Sequence, residues 1–272
     1  MAPRRQPEGR RPRLLPGRRL RRRSPQTLTR TTRSTRGLHV SDSPVCLITG
    51  GGSGIGAATA RLLLSRGYRV SITGRGADRL HRFAESMGHP AGLRTFVGDA
   101  SDYEDVQAAV ESTVKEFGRL NAVVANAGFA SFDDVTDGDP AVWRDMVLTN
   151  VLGPALLIRA ALPELKRTHG RIVLIGSVAG VVYSPGNIYG ATKWAVTGLA
   201  ENTRRMVTHD GVGVTLVNPG ATETNFFDAD GGPPDRAMID ADRIADAIVW
   251  AIGQPDGVDV NTLTIRPVPS PL

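Results

Sequence analysis

The sequence predicts an α/β fold, a doubly wound parallel sheet with helices on both faces. Short apolar, β-favouring runs alternate with longer runs of helical period from Pro44 onward. The first run, Pro44 to Ile48, leads through T-G-G-G-S-G-I-G at Thr49 to Gly56 into a helical pattern from Ala57 to Arg66. Two irregular segments, Gly176 to Gly186 and Asn218 to Asp240, each follow a predicted strand. In doubly wound sheets ligands sit beyond the carboxyl ends of the strands, so both segments and the glycine turn are expected to border one crevice.

Each element has its own signal. After the glycine turn, Arg69 to Thr73 reads as a second strand, Ala77 to Met87 as a helix and Leu93 to Val97 as a third strand. Asp102 to Phe117 is a long helix with Ser101 or Asp102 near its N-cap, and Ala122 to Ala125 is the fourth strand. Pro140 to His169 reads helical, with a bend expected near Pro154 and an end between Pro163 and His169. Arg171 to Ile175 is a fifth strand, Asn187 to Thr208 a helix and Val212 to Val217 a sixth strand. Ala241 to Gly253 is the last helix and Thr262 to Arg266 a terminal strand. No internal repeat is visible.

The net charge of +6 divides unevenly along the 272 residues. Residues 1 to 37 hold 13 of the 33 basic residues and only Glu8 of the 27 acidic ones, which leaves 20 basic against 26 acidic in the remainder. Residues 1 to 40 also carry Pro3, Pro7, Pro12, Pro16 and Pro25 with few large apolar groups, so this Arg/Pro-rich arm is expected to be disordered, and 41–272 to form a single domain. Three readings of the arm stand: a basic tail for nucleic acid or anionic lipid, a transit peptide, or an over-extended start with translation beginning near Val40. The arm has no aromatic residue for base stacking and prolines break any amphipathic helix, so the last reading is preferred and no nucleic-acid partner is expected. No apolar run suits a signal sequence or a membrane span. The single cysteine, Cys46, falls in the first strand as a buried thiol, which suits a cytoplasmic location. The five histidines lack metal-ligand spacing, and no metal is expected.

Chemistry concentrates after the fifth strand. Glycines in the first turn let the backbone approach a ligand, and the first helical N–H groups offer partial positive charge to a pyrophosphate. Tyr189 and Lys193 form Y-G-A-T-K, and a spacing of four puts both on one helical face. Such a pair alone also describes an ordinary amphipathic helix. Its chemical reading is that the Lys193 ammonium lowers the Tyr189 phenol, which then moves a proton to or from an oxygen, with the Ser177 hydroxyl aimed at the same atom.

Thr49 to Gly56, Asn126-Ala127-Gly128 after the fourth strand, Asn150, Ser177, Tyr189-x-x-x-Lys193 and Pro219-Gly220 after the sixth strand occur in one order and spacing. Over residues 44 to about 266 the chain resembles the short-chain dehydrogenase/reductase family. The resemblance implies a Rossmann-type domain with a seven-stranded sheet, a nicotinamide cofactor, and a Ser177, Tyr189, Lys193 and Asn150 tetrad. In that scheme Tyr189 is the acid/base, Ser177 holds the substrate oxygen, Lys193 also binds the nicotinamide ribose, and Asn150 anchors a water that relays protons. Gly50, Ser53, Gly54, Ile55 and Gly56 fall in the cofactor turn, Asn126 and Gly128 in the second motif. Pro219, Gly220, Thr222 and Thr224 match positions near the nicotinamide amide and phosphate, and Asp99 the residue that meets the adenine amino group. Ala125 stands where the family often has a second Asn, and Pro267 to Leu272 is too short to cap a substrate.

Cofactor choice follows from the second strand. NAD-binding members place an acidic residue at its end for the ribose hydroxyls. Here Gly74 and then Arg75 occupy that place, and a guanidinium suits a 2′-phosphate, so NADP(H) is expected over NAD(H). Val178, Val181, Val182, Tyr183, Phe226 and Phe227 make the site loops apolar, and Arg236 is their only basic residue. A neutral apolar ketone, aldehyde or secondary alcohol is therefore expected as substrate. The segment from Arg171 to Arg266 is similar to bacterial members described only as oxidoreductases. A non-catalytic dinucleotide sensor is the rival, opposed by the complete tetrad. The broad apolar surface of Pro140 to His169 and the small residues Ala191, Ala195, Gly198 and Ala200 predict a homodimer or homotetramer.

Overall fold

The computed structural model describes residues 43–270, apart from 231 and 233. The expected disorder of the arm lies outside the described residues. Strands β1 (Val45–Thr49), β2 (Arg69–Gly74), β3 (Leu93–Val97), β4 (Ala122–Ala125), β5 (Arg171–Ile175) and β6 (Gly213–Pro219) are joined by helices. Two two-residue strands, β7 (Thr222–Glu223) and β8 (Ile239–Asp240), pair with each other, and β9 (Thr262–Ile265) closes the main sheet. That sheet has seven strands in the order β3-β2-β1-β4-β5-β6-β9, every pair parallel.

Strand period sorts the core into two layers. Val45 and Leu47 of β1 point with Val123, Ile172 and Leu174 toward α3 (Tyr103–Phe117), α5 (Gly153–Thr168) and α6 (Ile188–Val207). Cys46 and Ile48 point the other way, with Val124 and Val173, toward α1 (Gly54–Ser65), α2 (Ala77–Ser86) and α7 (Ala241–Ile252). Alternation that is apolar on both sides is what a sheet covered on both faces requires. Cys46 is fully buried, and that burial pushes its thiol pKa well up, as an inert core thiol requires.

The helix ends carry the local signals. Asp102 caps α3, accepting from the N–H groups of Glu104 and Asp105, and Gly118 ends it in the left-handed region. Asn187 caps α6 by accepting from Gly190 N–H. One expectation is corrected in position. The run from Pro140 is broken a turn before Pro154: α4 (Pro140–Val147) passes into a wide turn, Leu148–Leu152, in which Gly153 N–H donates to Leu148 O five residues back. Gly153 permits the close approach there, since a Cβ would come within 2.9 Å of Ala100 O. Pro154, lacking an N–H, sits harmlessly in the first turn of α5, and α5 continues through Pro163 to Thr168. This 29-residue helical run is long and apolar enough to span a membrane by composition alone, but Leu157, Ile158, Ala161 and Leu165 pack it into the sheet core.

Strand order reverses between β2-β1 and β1-β4. The chain leaves β1 toward one edge of the sheet and returns at β4 toward the other, so the loops after these strands diverge and leave a crevice.

Candidate active site

Residues that follow β1, β4, β5 and β6 line one cleft of about 760 Å³. At its floor the glycine turn is fixed by Asn126, whose Nδ2 donates to the carbonyls of Thr49 and Gly50, both at 3.0 Å. Thr49 Oγ1 in turn accepts from the N–H groups of Asn126 and Ala127. Gly50 has a φ of 65°, and a Cβ there would come within 2.9 Å of Ala127 Cα. Gly56 lies behind the turn, where a Cβ would come within 2.4 Å of Gly50 O; it is a packing glycine and does not line the cleft.

Gly50, Ser53, Gly54 and Ile55 do line it. Ser53 precedes α1 without a side-chain cap, and the first turn of α1 has no acidic residue. Its N–H groups and partial positive charge are thereby left for an anion in the cleft. This cradle, closed to any side chain at Gly50, fits a dinucleotide pyrophosphate.

Arg75 and Asp99 line the same end of the cleft. Asp99 Oδ1 accepts from the N–H and hydroxyl of Ser101 at 2.8 and 2.7 Å. Burial pushes the Asp99 carboxyl up, but the Ser101 bonds and the Arg75 guanidinium outweigh it and hold the group below the ordinary carboxylate range. Arg79 joins this corner, its stem packed against the glycine turn 3.3 Å from where a Cβ on Gly52 would lie. The sequence alone does not single it out: α2 begins at Ala77, so Arg75 lies before the helix and no helical spacing links the two cations, which only the fold brings to one cleft.

The other end holds Ser177, Tyr189 and Lys193, all buried. Lys193 Nζ donates to Ile175 O at 2.9 Å and lies 5.7 Å from the centre of the Tyr189 ring. Ser177 N–H donates to Asn218 Oδ1, and Ser177 Oγ accepts from Ala179 N–H. The expectation that Lys193 lowers the Tyr189 phenol is corrected. Burial pushes Tyr189 up to about 12, against a smaller downward pull from the Ser177 hydroxyl. Burial likewise brings Lys193 down to about 8. Removal from water disfavours the charged form of each group more than their spacing favours it.

Asn150 sits in the wide turn, 1% exposed and off the cleft wall. Its Nδ2 donates to Phe129 O at 2.8 Å and Thr192 Oγ1 at 3.2 Å, and its Oδ1 accepts from Phe129 N–H at 3.0 Å. Thr192 Oγ1 donates onward to Tyr189 O at 2.7 Å. The Asn150 side chain is therefore a brace between the loop after β4 and the helix of Tyr189. Gly128 makes room for it, since a Cβ there would come within 2.9 Å of Asn150 Oδ1.

Pro219, Gly220, Thr222 and Thr224 complete the far wall. Thr222 Oγ1 donates to Gly220 O, and the Thr224 methyl faces Gly54. The paired strands β7 and β8 close the base of a loop that carries Phe226 and Phe227 into the cleft. Val178 and Val182 line it as expected, whereas Val181 does not. Tyr183 is also corrected: it is 90% exposed and stacks outside on Trp194, at 5.5 Å and 16°. Arg236 is brought to the cleft despite the Gly/Pro stretch before it. Phe132, in the stretch G-F-A-S-F-D-D-V that follows the fourth-strand motif, is the second residue sequence reading missed. Among the described residues no cluster of His, Cys, Asp or Glu could hold a metal ion.

A parallel sheet with a glycine-turn anion cradle at its switch point, facing a buried tyrosine and lysine, defines a Rossmann-type nucleotide-binding oxidoreductase. The model of the short chain dehydrogenase family matches residues 44–231. An uncharacterized oxidoreductase of Staphylococcus saprophyticus is 34% identical over 229 residues, covering 82% of this chain and 97% of that protein. An alcohol dehydrogenase from the archaeon Thermococcus sibiricus, solved with 5-hydroxy-NADP, superposes with a TM-score of 0.75 at 30% identity, over 83% of this chain and 97% of its own. ElxO with NADP bound gives 0.75 at 27% identity, over 82% and 97%. The chain belongs to the short-chain dehydrogenase/reductase family and is an NAD(P)-dependent oxidoreductase.

Proposed function

We propose that the protein is an NADP(H)-dependent reductase of a neutral carbonyl compound, working through Ser177, Tyr189, Lys193 and Asn150. The observation that carries this reading is that Tyr189, Ser177 and Lys193 are brought together, buried, on the wall of the cleft that also holds the anion cradle, and burial keeps the phenol in its protonated form. NADP(H), when bound, supplies or accepts the hydride. The first turn of α1 would offer N–H groups to its pyrophosphate, Arg75 and Arg79 would offer guanidinium groups to its 2′-phosphate, and Asp99 would accept from its adenine amino group. Thr222 and Thr224 would hold the nicotinamide end, and Lys193 would donate to the nicotinamide ribose.

Tyr189 then gives its proton to the carbonyl oxygen as negative charge develops there, and Ser177 donates a hydrogen bond to the same atom. Asn150 holds Phe129 and Thr192, and through them the helix turn that aims Tyr189. The NADP-bound and alcohol-dehydrogenase neighbours support the cofactor and the reaction class. Tyr189→Phe tests it. NADPH oxidation, followed optically with a panel of ketones, should fall by ~10²–10⁴-fold, while NADPH affinity stays within a few-fold. Turnover within a few-fold of wild type would remove Tyr189 from the mechanism.

A further inference from the structure

The wall opposite the cofactor corner is built from aromatic rings. Phe132, from the loop after β4, stacks on Phe227 at 5.7 Å and 16°, and meets Tyr189 edge-on at 5.8 Å and Phe226 edge-on at 6.2 Å. Phe226 touches Tyr189 in turn, at 5.7 Å. Phe226 and Phe227 come from the loop after β6, so two loops from different strand ends meet through their rings directly beside the proton donor. Phe132 nevertheless remains 45% exposed, a large apolar ring open to the cleft.

The position of Phe132 is fixed by its neighbour. Asp133 accepts from Ser131 Oγ at 2.6 Å and Trp143 Nε1 at 3.0 Å, and its carbonyl accepts from Asn187 Nδ2 at 3.0 Å. Asn187 is also the cap of the helix that carries Tyr189. The backbone that carries the ring is thus tied through Asp133 to the cap of the helix that carries the phenol. Rings prefer ring partners in offset or edge-on contact, beyond what their area alone gives.

We infer that Phe132 is a specificity-determining residue, and that the wall it forms with Phe226 and Phe227 selects ketones whose carbonyl is attached to an aromatic ring. This rests on the carbonyl reduction proposed above. The carbonyl oxygen meets Tyr189 while the ring lies in the cleft against the exposed side of Phe132.

Two ketones of similar size separate ring chemistry from bulk: methyl phenyl ketone and methyl cyclohexyl ketone, each reduced with NADPH by the full chain. The ratio of their kcat/KM values is the readout. It should favour the phenyl compound in wild type, fall by about tenfold toward the cyclohexyl compound in Phe132→Ala, and return in Phe132→Tyr. A second readout needs no turnover. Saturation-transfer NMR with benzyl alcohol should show ring contact in wild type and its loss in Phe132→Ala. An unchanged ratio in Phe132→Ala overturns the inference and leaves the reductase reading standing. Failure of wild type to reduce any ketone of the wider panel overturns both.

Discussion

Replacing Lys193 by Met should stabilise the cofactor-free protein at neutral pH. The side chain is buried, its Nζ is held by the Ile175 carbonyl, and burial brings its pKa from 10.5 to about 8. At about 1.4 kcal/mol per pH unit, the buried ammonium costs about 3 kcal/mol at pH 7 relative to a chain in water. Methionine keeps most of the apolar stem and removes the charge, but it leaves the Ile175 carbonyl without this donor, a loss of about 1 kcal/mol. A net gain of about 2 kcal/mol is expected. The sign with pH follows from the folded pKa lying below the unfolded one. Below pH 8 lysine is charged in both states and the fold bears the full cost. Between about 8 and 10.5 the folded lysine is already neutral while the unfolded one still holds its proton, so the cost shrinks and vanishes above 10.5. By pH 9.5 the advantage of methionine should have fallen by about 2 kcal/mol, to near zero. Urea unfolding of both proteins at pH 7 and 9.5, followed by tryptophan fluorescence, measures the two gaps. Equal gaps at the two pH values would refute the reasoning, because they would mean that Lys193 does not titrate differently in the fold.

Two other perturbations follow from the same surfaces. Arg75→Ala should raise KM for NADPH by ~10–100-fold with little effect on KM for NADH, since loss of a charged hydrogen bond to phosphate is worth about 1.5–3 kcal/mol, and Arg79→Ala should act in the same direction; equal effects on both cofactors would retire the 2′-phosphate assignment. Val142, Val147, Leu148 and Leu152 leave an exposed apolar strip along α4 and the turn into α5, so a chain beginning at Val40 should sediment as a dimer or tetramer at micromolar concentration and Leu152→Glu as a monomer; a monomeric parent chain would sink that assignment.

What the sequence made legible follows from what is local. Strands such as Arg171–Ile175 and Ala122–Ala125 are apolar on both faces because both faces are covered, and that is visible residue by residue. Caps such as Asp102 and Asn187 act within three residues of themselves. The wide turn at Leu148–Leu152 is different: one extra residue in a single turn leaves the helical period of the flanks intact, so the only visible mark was Pro154, which misplaced the break. Asn150 gave no signal of its own and was found only through resemblance. The spacing of Tyr189 and Lys193 placed both on one face, but their depth is set by residues far away in sequence, and depth decides their protonation. Phe132 lies between Ser131 and two aspartates, in a segment without helical or strand period. Only the pairing of its loop with the one after β6 turns that ring into part of the site.

The protonation of Tyr189 can be measured directly, and it discriminates between the two physical pictures of the pair. If the Lys193 charge dominated, the phenol would ionise below its ordinary value of 10.0; with burial dominant it stays protonated up to about 12. Lys193 cannot reverse this by itself, because burial favours its neutral form as well, and above about pH 8 it has largely lost the charge that would stabilise a phenolate. A protonated phenol is the form a general acid needs, so the cofactor-free protein is already set for delivering a proton to a carbonyl oxygen. Taking a proton from an alcohol requires the phenolate, and each pH unit below 12 makes that form about tenfold rarer. The ultraviolet difference titration between wild type and Tyr189→Phe isolates this one phenol from the other tyrosines. No tyrosinate signal should develop in the difference below about pH 11. A step at or below pH 9 would show that charge outweighs burial, and the acid role assigned to Tyr189 at rest would have to give way to that of a base.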